Sequence, residues 1–481
     1  MLKKLLCLVI TAAIAAGAAA CGAGSENPSG SGSVESATNA TESETTISIA
    51  ALSSETYLES AVEEYEKAHP GITIDLKTYA ATPGNVTKSE SAGGQASGGG
   101  KKMQQVIMGK ANPQDLEKYV NTLNTEIMSG KAPDIISVDQ LPYRKYADKN
   151  LLANLSEMMQ ADKSFDVSRY SEGILDAVKY KESLYAFPVK YTLDMLNGDK
   201  TLLDAPGVGV DDSKWSWQDF KAIAEKLLVD GSQQGKSALA NISATEFLNY
   251  VMGSSYDKFI DLEKKNADFA NAEFKDMLNF CKELFDKKLV DTTTVKKMTG
   301  RGNTLFDVAQ ISMPMDYMRS PQMEFNGNGK LYRLPGSSEP GSVSFSSDAM
   351  FSINNSSKHK NEAWEFIKYL LSDEVQSRME LAGFPVNKAA LDTIASQAAN
   401  PPKGAIMKVV TPEGEMQLKP PTEEDISAMK KVLEGVNRYN GADREVLKII
   451  LEEAEPFFKG QKTVDEAVEL IQNRVNTYVK E

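Results

Sequence analysis

Short stretches with a two-residue apolar period alternate along this chain with longer stretches of 3.6-residue period. Thr46–Leu52 puts apolar side chains on alternating positions and predicts a strand. In Thr56–Lys67, Leu58, Val62 and Tyr65 recur at helical spacing, and His69-Pro70-Gly71 stops the helix. Ile72–Tyr79 alternates again, so the folded part opens strand–helix–strand, the start of an α/β sheet. Pro113–Met128 predicts a helix with Leu116, Tyr119, Val120, Leu123 and Ile127 on one side; Gly130 ends it and Pro133 blocks its resumption. Asp134–Val138 predicts a buried strand and Tyr143–Leu152 a short helix. In the middle, Trp217–Val229 and Phe269–Leu289 are the clearest helices, and Gln310–Met315 predicts a short strand ended by proline. Val343–Ile353 predicts a strand and Glu362–Leu371 an amphipathic helix. Glu423–Glu481 predicts helix throughout, in the pieces Ile426–Tyr439, Glu445–Phe458 and Val464–Val479. Both periods occur early and late, which suits an α/β protein of two lobes, and no internal repeat is present.

Three segments depart from this pattern. Lys3 and Lys4 precede an uncharged apolar run from Leu5 to Ala20 that ends in the small residues Ala18-Ala19-Ala20, the layout of a secretory signal. The run is shorter than the ~20 residues a membrane-spanning helix needs. Gly22–Thr46 holds almost no large apolar side chain and cannot bury enough surface to fold; such a tether reaches ~25–30 Å. With Cys21 between the two, the region resembles a bacterial lipoprotein signal, although Ala18 stands where that family usually has Leu. The resemblance implies that residues 1–20 are removed, that Cys21 becomes the first mature residue and carries the lipid, and that residues 21–46 tether the protein to the outer face of the membrane. Cleavage by the ordinary signal peptidase, leaving Cys21 bare, is the alternative. The third segment, Lys88–Lys102, is rich in Gly and Ser and predicts a surface loop. It is not a phosphate loop, because Gln95 stands where the first Gly is required and no Ser or Thr follows Lys101.

Composition narrows the function. Loss of residues 1–20 removes two lysines and no acid, so the formal charge of −14 becomes −16. An acidic surface argues against nucleic acid and anionic membrane as partners. Once Cys7 leaves and Cys21 is lipidated, only Cys281 remains, so no intramolecular disulfide forms; its helical surroundings predict a buried small hydrophobe. The two histidines, His69 and His359, lie in turns with no ligand or catalytic partner at the required spacing, so no metal or other cofactor is expected. There is no Gly-x-Ser-x-Gly elbow, dinucleotide fingerprint or calcium loop. A two-carboxylate glycosidase stays open, since such a pair leaves no sequence signature.

Seven segments then line up in order with one family. Ser129-Gly-Lys-Ala-Pro-Asp-Ile-Ile, Tyr146-Ala-Asp-Lys-Asn-Leu-Leu-Ala-Asn-Leu and Ser183-Leu-Tyr-Ala-Phe-Pro-Val are the first three. Trp215-Ser-Trp-Gln-Asp-Phe, Ala363-Trp-Glu-Phe-Ile-Lys-Tyr-Leu-Leu-Ser-Asp-Glu-Val-Gln, Gly383-Phe-Pro-Val-Asn-Lys and Gly460-Gln-Lys-Thr-Val-Asp-Glu-Ala complete the set. Over residues 47–480 the chain resembles the extracellular solute-binding proteins of ABC importers, of the sugar- and oligosaccharide-binding type.

The resemblance implies a two-lobed α/β fold of the periplasmic-binding type, with lobes joined by a multi-strand hinge. It implies one lobe from 47–188 with 345–392 and the other from 189–340 with 393–481, with crossings near Phe187–Lys190 and Pro340–Phe345. It implies a monomer that closes on a small ligand, a mono- or oligosaccharide, and delivers it to the membrane subunits of an ABC permease without chemistry of its own. The family's ligand contacts follow strands, which selects Asp139, Gln140, Tyr191, Glu246, Asp316, Tyr317, Arg319, Ser347 and Asp348. Trp215 and Trp217 stand at a helix start, where packing is expected. Tyr317 and Arg319 occupy a loop where the family often carries Trp, and Arg319 suits an anionic ligand equally. An exported polysaccharide hydrolase and a sensory module that presents its closed form to a membrane receptor remain the rival readings.

Overall fold

The computed structural model describes residues 44–80, 112–205, 207–229, 236–253, 255–292, 304–336, 340–400, 407–411 and 414–481. Cys21, the tether and the Gly/Ser-rich segment Lys88–Lys102 lie outside the described residues. The chain opens with β1 (Thr45–Ser53), α1 (Thr56–Ala68), β2 (Ile72–Ala80), α2 (Pro113–Met128), β3 (Ile135–Ser137) and α3 (Tyr143–Asp148). Helix α2 begins with Pro113 at its first position and Asn112 as cap, its side chain accepting from the Gln114 N–H at 3.0 Å. Gly130 ends it in the left-handed region at φ 68°. Helix α3 is shorter than expected: Asn150 turns left-handed at φ 56° and Leu151 N–H returns to the Tyr146 carbonyl, so the chain leaves the helix before Leu152.

The middle of the chain contributes β4 (Phe187–Asp199), α4 (Trp217–Leu228), α5 (Ala244–Gly253), α6 (Ala272–Asp286), β5 (Phe306–Ile311), α7 (Pro314–Met323) and β6 (Gly329–Arg333). After it come β7 (Val343–Ile353), α8 (Lys360–Leu370), β8 (Phe384–Pro385), α9 (Glu423–Leu433), β9 (Val436–Tyr439), α10 (Arg444–Phe458) and α11 (Val464–Lys480). Two sequence expectations are corrected here. The strand expected over Gln310–Met315 ends at Ile311, because Pro314, which suits the first turn of a helix, starts α7. The C-terminal region is not wholly helical. Gly435 interrupts it, and Val436–Tyr439 pairs in parallel with β7 from Val343 to Phe345. A Cβ on residue 435 would lie 2.1 Å from the Gly341 carbonyl oxygen, so only glycine lets this crossing close.

The main sheet runs β8-β4-β7-β3-β1-β2, with β5 and β6 also on β4 and β9 on β7. Strands β1, β2 and β3 are parallel, and β4 lies antiparallel to β7, β5 and β6. Two apolar cores form on this framework. The first collects Ile47, Ile49, Tyr57, Tyr119, Ile135, Phe187, Phe345 and Phe366; the second collects Trp215, Trp217, Phe220, Phe247, Phe274, Phe306, Ile450 and Ile471. Both tryptophans pack as expected, Trp217 edge-on to Phe247 at 5.2 Å. Cys281 is fully buried in the second core, which raises its thiol pKa far above the ordinary range. Strand β4 serves both cores: Val189, Tyr191, Leu193 and Met195 belong to the first and Leu196 to the second. The handover thus falls between Met195 and Leu196, inside one continuous strand.

Candidate functional site

Where β4 meets β7 the ladder is irregular. Pro188 faces Met350 and Lys190 faces Ala349, so Val189 is extra on β4; Thr192 faces Ser346, so Ser347 and Asp348 together oppose Tyr191. Two bulges in opposite strands re-aim the side chains between them. They also strand backbone carbonyls, and side chains take these up. Buried Gln376 donates to the Val189 carbonyl at 2.9 Å, and the Ser347 hydroxyl to the Lys190 carbonyl at 2.7 Å. Ser347, expected at the ligand, is therefore a buried brace of the bulge.

The bulges turn Lys190 and Asp348 toward each other. The Lys190 stem is buried, and a Cβ on residue 383 would come within 2.6 Å of its Cβ, so Gly383 leaves the room it needs. Its ammonium pairs closely with Glu55, lies 3.5 Å from the Asp348 carboxylate, and stands 5.3 Å from the centre of the Tyr57 ring. Burial works against this charge, but Asp348 and Glu55 outweigh it and hold the Lys190 pKa above the ordinary value. Burial raises Glu55 against the pull of Lys190. Asp139 sits just past β3, with its Oδ1 accepting from Ser137 at 2.5 Å and its Oδ2 from Gln140 at 3.2 Å. Burial, reinforced by the Asp348 charge, pushes Asp139 up to about 7 in spite of these bonds. Glu55, Asp139, Lys190 and Asp348 thus come from four separate segments and form one electrostatic unit.

Asp139 and Gln140 also line a cavity of about 40 Å³ shared with Arg144, Tyr256, Tyr439 and Asp443, room for ordered water rather than a ligand. This wall joins the two cores. Arg144 pairs with Asp257 at 3.3 Å, and the Lys145 ammonium lies 3.5 Å from the centre of the Tyr478 ring. Further along β4, Asp194 is 7% exposed and accepts from Ser346 at 3.4 Å, with the Asn440 side chain as a second donor.

The remaining expected residues lie elsewhere. Tyr191 is 1% exposed and its ring stacks on Phe384 at 5.3 Å, so it belongs to the core. It shares this face of β4 with Val189, Leu193 and Met195, which also belong to the first core. Glu246 forms a capping box with Ser243, whose N–H and hydroxyl both reach its Oε2 at 2.8 Å. Asp316, Tyr317 and Arg319 ride on α7 rather than on a loop. Asp316 and Arg319 line a separate cavity of about 430 Å³ with Asn197, Asp307, Gln310 and Ser320, while Tyr317 packs on the edge of the first core. Sequence reasoning missed Glu55 and Lys190. Glu55 stands shortly after the predicted strand Thr46–Leu52, much as Asp139 follows Asp134–Val138, and Lys190 lies inside the expected crossover.

Among the described residues no group of His, Cys, Asp and Glu is arranged to hold a metal, and no helix is long and apolar enough to cross a membrane. A family model for bacterial extracellular solute-binding proteins matches residues 101–402. The fold is similar to the sugar-binding protein MalE of Xanthomonas citri, with a TM-score of 0.61 and 16% identity over 91% of this chain and 98% of that one. It is similar to an ABC substrate-binding protein of Listeria monocytogenes solved with cycloalternan, TM-score 0.56 and 16% identity over 90% and 99%. A sugar transporter of Rhizobium etli in an open conformation gives TM-score 0.57 and 14% identity over 90% and 99%. These are two-lobed folds of the periplasmic-binding type, and the mixed α/β architecture agrees with them.

Proposed function

Since the chain belongs to the bacterial extracellular solute-binding proteins, we propose that it captures a carbohydrate between two lobes and hands it to an ABC permease. The observation that carries the site assignment is the convergence of Glu55, Asp139, Lys190 and Asp348 on the double bulge of β4 and β7. Carboxylates accept paired hydrogen bonds from adjacent sugar hydroxyls, and an ammonium donates to the ring or glycosidic oxygen. Gln140 and Asp194 extend the polar wall on either side.

Hinge closure is the mechanism. One strand, β4, carries side chains of both apolar cores, so a ligand bound beside Lys190 rests where a small twist of β4 and β7 moves one core against the other. The ligand adds contacts only in the closed arrangement and shifts the population toward it. No bond is made or broken. The lobes we propose follow the two cores, which moves Val189, Tyr191, Leu193, Met195, Ile426, Met429 and Val436 from the second expected lobe to the first. The protein works as a monomer at the outer face of the membrane, tied to it through a lipid on Cys21, within reach of its permease.

A thermal-shift screen over mono- and oligosaccharides tests the ligand class. A sugar at 100 times its dissociation constant is expected to add ~2.7 kcal/mol of stability. If another solute class raises the melting temperature and no sugar does, the carbohydrate reading fails; turnover of a glycan would replace binding with hydrolysis. Cys21→Ala is expected to move the protein from the membrane to the soluble fraction with ligand affinity unchanged.

A further inference from the structure

Gln376 ends a short helix, Asp373–Gln376, and is fully buried. Its amide uses both of its N–H donors and its carbonyl oxygen twice, and every partner is backbone. Its Nε2 donates to the Val189 carbonyl at 2.9 Å and to the Leu370 carbonyl at 3.0 Å. Its Oε1 accepts from the Val386 N–H at 3.0 Å and from the Asn387 N–H at 3.4 Å. One side chain thus ties together the end of α8, the residues just past β8 and the β4 bulge.

Where these bonds fall points to the site. Val189 is the extra residue of the β4 bulge and faces no residue of β7, and Lys190 comes next. An apolar side chain of the same size would leave the Val189 carbonyl without this donor in the core, and relief requires the bulge to shift. Lys190 would shift with it. The other segment that Gln376 holds lies against the same lysine: Pro385, beside Val386, pairs with Lys190, and Gly383 leaves room for its stem. The Ser347 hydroxyl takes the Lys190 carbonyl at 2.7 Å. Lys190 in turn lies 3.5 Å from Asp348, whose side chain is 57% exposed and open to a ligand. A buried amide is a costly way to fill a core. Holding this bulge gives it a role that a leucine or methionine could not take over.

We propose that Gln376 is a positioning residue for solute binding: it holds the β4 bulge so that Lys190 fixes Asp348 against the ligand. This rests on the solute-capture reading and adds to it a residue that never touches the solute. The test compares Gln376→Met, which keeps the size and loses the hydrogen bonds, with Ile74→Ala, a buried position on β2 at the far end of the sheet. Reductive methylation of the native protein, read by mass spectrometry below the melting temperature of both variants, reports the exposure of Lys190. Calorimetry with maltose, cellobiose and xylobiose reports affinity. In Gln376→Met, Lys190 is expected to be methylated about tenfold faster than in the parent protein. A disaccharide that binds the parent is expected to bind this variant about tenfold more weakly. Ile74→Ala is expected to melt lower, yet to keep Lys190 protected and affinity within about twofold. The inference is overturned if Lys190 stays protected in Gln376→Met, if affinity is unchanged there, or if both variants behave alike. Should no disaccharide bind the parent protein, the carbohydrate reading loses support and the methylation pattern alone decides the role of Gln376.

Discussion

The group around Lys190 and the group around Arg319 both contain residues that the sequence pointed to, and they are built in opposite ways. Around Lys190, Glu55, Asp139 and Asp348 arrive from three other places in the chain, brought together by adjacent strands and a double bulge. Asp316 and Arg319 are neighbours on one turn of α7 and would sit together in an isolated peptide. The α7 cavity is the roomier, about 430 Å³, yet burial opposes both of its charges: it raises Asp316 and lowers Arg319. At Lys190 the attraction of two carboxylates outweighs burial. The difference teaches that volume alone is a poor guide to a site. Convergence of distant segments, braced by Gln376, Ser347 and Gly383, is the better one.

The largest effect is expected from Lys190→Met. It leaves Glu55 partly buried without its counter-charge, a loss of about 3 kcal/mol, the low end for a buried pair because Glu55 keeps some solvent. Urea unfolding should show the midpoint falling with an unchanged slope. Adding Glu55→Met should recover most of the loss, since removing both charges leaves none unpaired. Without such recovery, Lys190 matters through packing, and the contrast with α7 weakens.

Gly383→Ala comes next. The new methyl would meet the Lys190 stem at 2.6 Å, so one of two backbones must move, at about 1–3 kcal/mol. The same change at Gly130, where nothing lies within 4 Å, brings only the strain of φ 68° and should cost less. A loss at Gly383 no larger than at Gly130 would show that the Lys190 stem yields to the methyl.

Asp139→Asn should be stabilising at high pH. The unfolded carboxyl ionises near 3.8 and the native one near 7, so the native state holds the extra proton between these values. Stability from that proton is complete below about pH 4 and is lost as the pH rises through 7. The groups facing Asp139 are Asp348 from β7, Ser137 and Gln140 beside it, and the phenols of Tyr57, Tyr119 and Tyr439. None of these supplies a cation, and Arg144 on the shared cavity is paired with Asp257. A neutral amide should flatten the profile and gain roughly 1–2 kcal/mol at pH 8, after discounting for the solvent this half-buried group keeps. Melting temperatures of both forms from pH 4 to 8 would check this; parallel curves would mean that Asp139 titrates normally.

Most of the framework was legible in the chain, and much of the site was not. Periodicity placed α2 and β7 at their observed limits: α2 buries one face, and the first half of β7 alternates buried and partly exposed positions. It failed at Val436–Tyr439, where four residues with apolar ends fit a helix or a strand equally, and only pairing with β7 decides. The rule that contacts follow strands selects Asp139 and Asp348, which the structure places in the group around Lys190. It also selects Tyr191, which shares the buried face of β4 with Val189, Leu193 and Met195, a burial that only the packed strands decide. Lys190 was hidden for a related reason: a lysine reads as a solvated surface residue until Glu55, Asp348 and Gly383 are seen around it.

The smallest effect is expected at α7, and it is the one that most sharply tests the contrast. The Arg319 charge is not held by a buried partner of its own: Asp316 on the preceding turn attracts it, while burial works against it. Arg319→Ala should therefore change stability by no more than about 0.5 kcal/mol. If the solute binds at Lys190, Arg319→Ala should also leave its affinity within twofold, while Asp348→Asn lowers it by tenfold or more. The reverse pattern would move the ligand to the larger cavity, where a guanidinium favours an anionic solute. It would then overturn the place of the site, because Glu55 and Asp348 beside Lys190 disfavour the anion that Arg319 attracts.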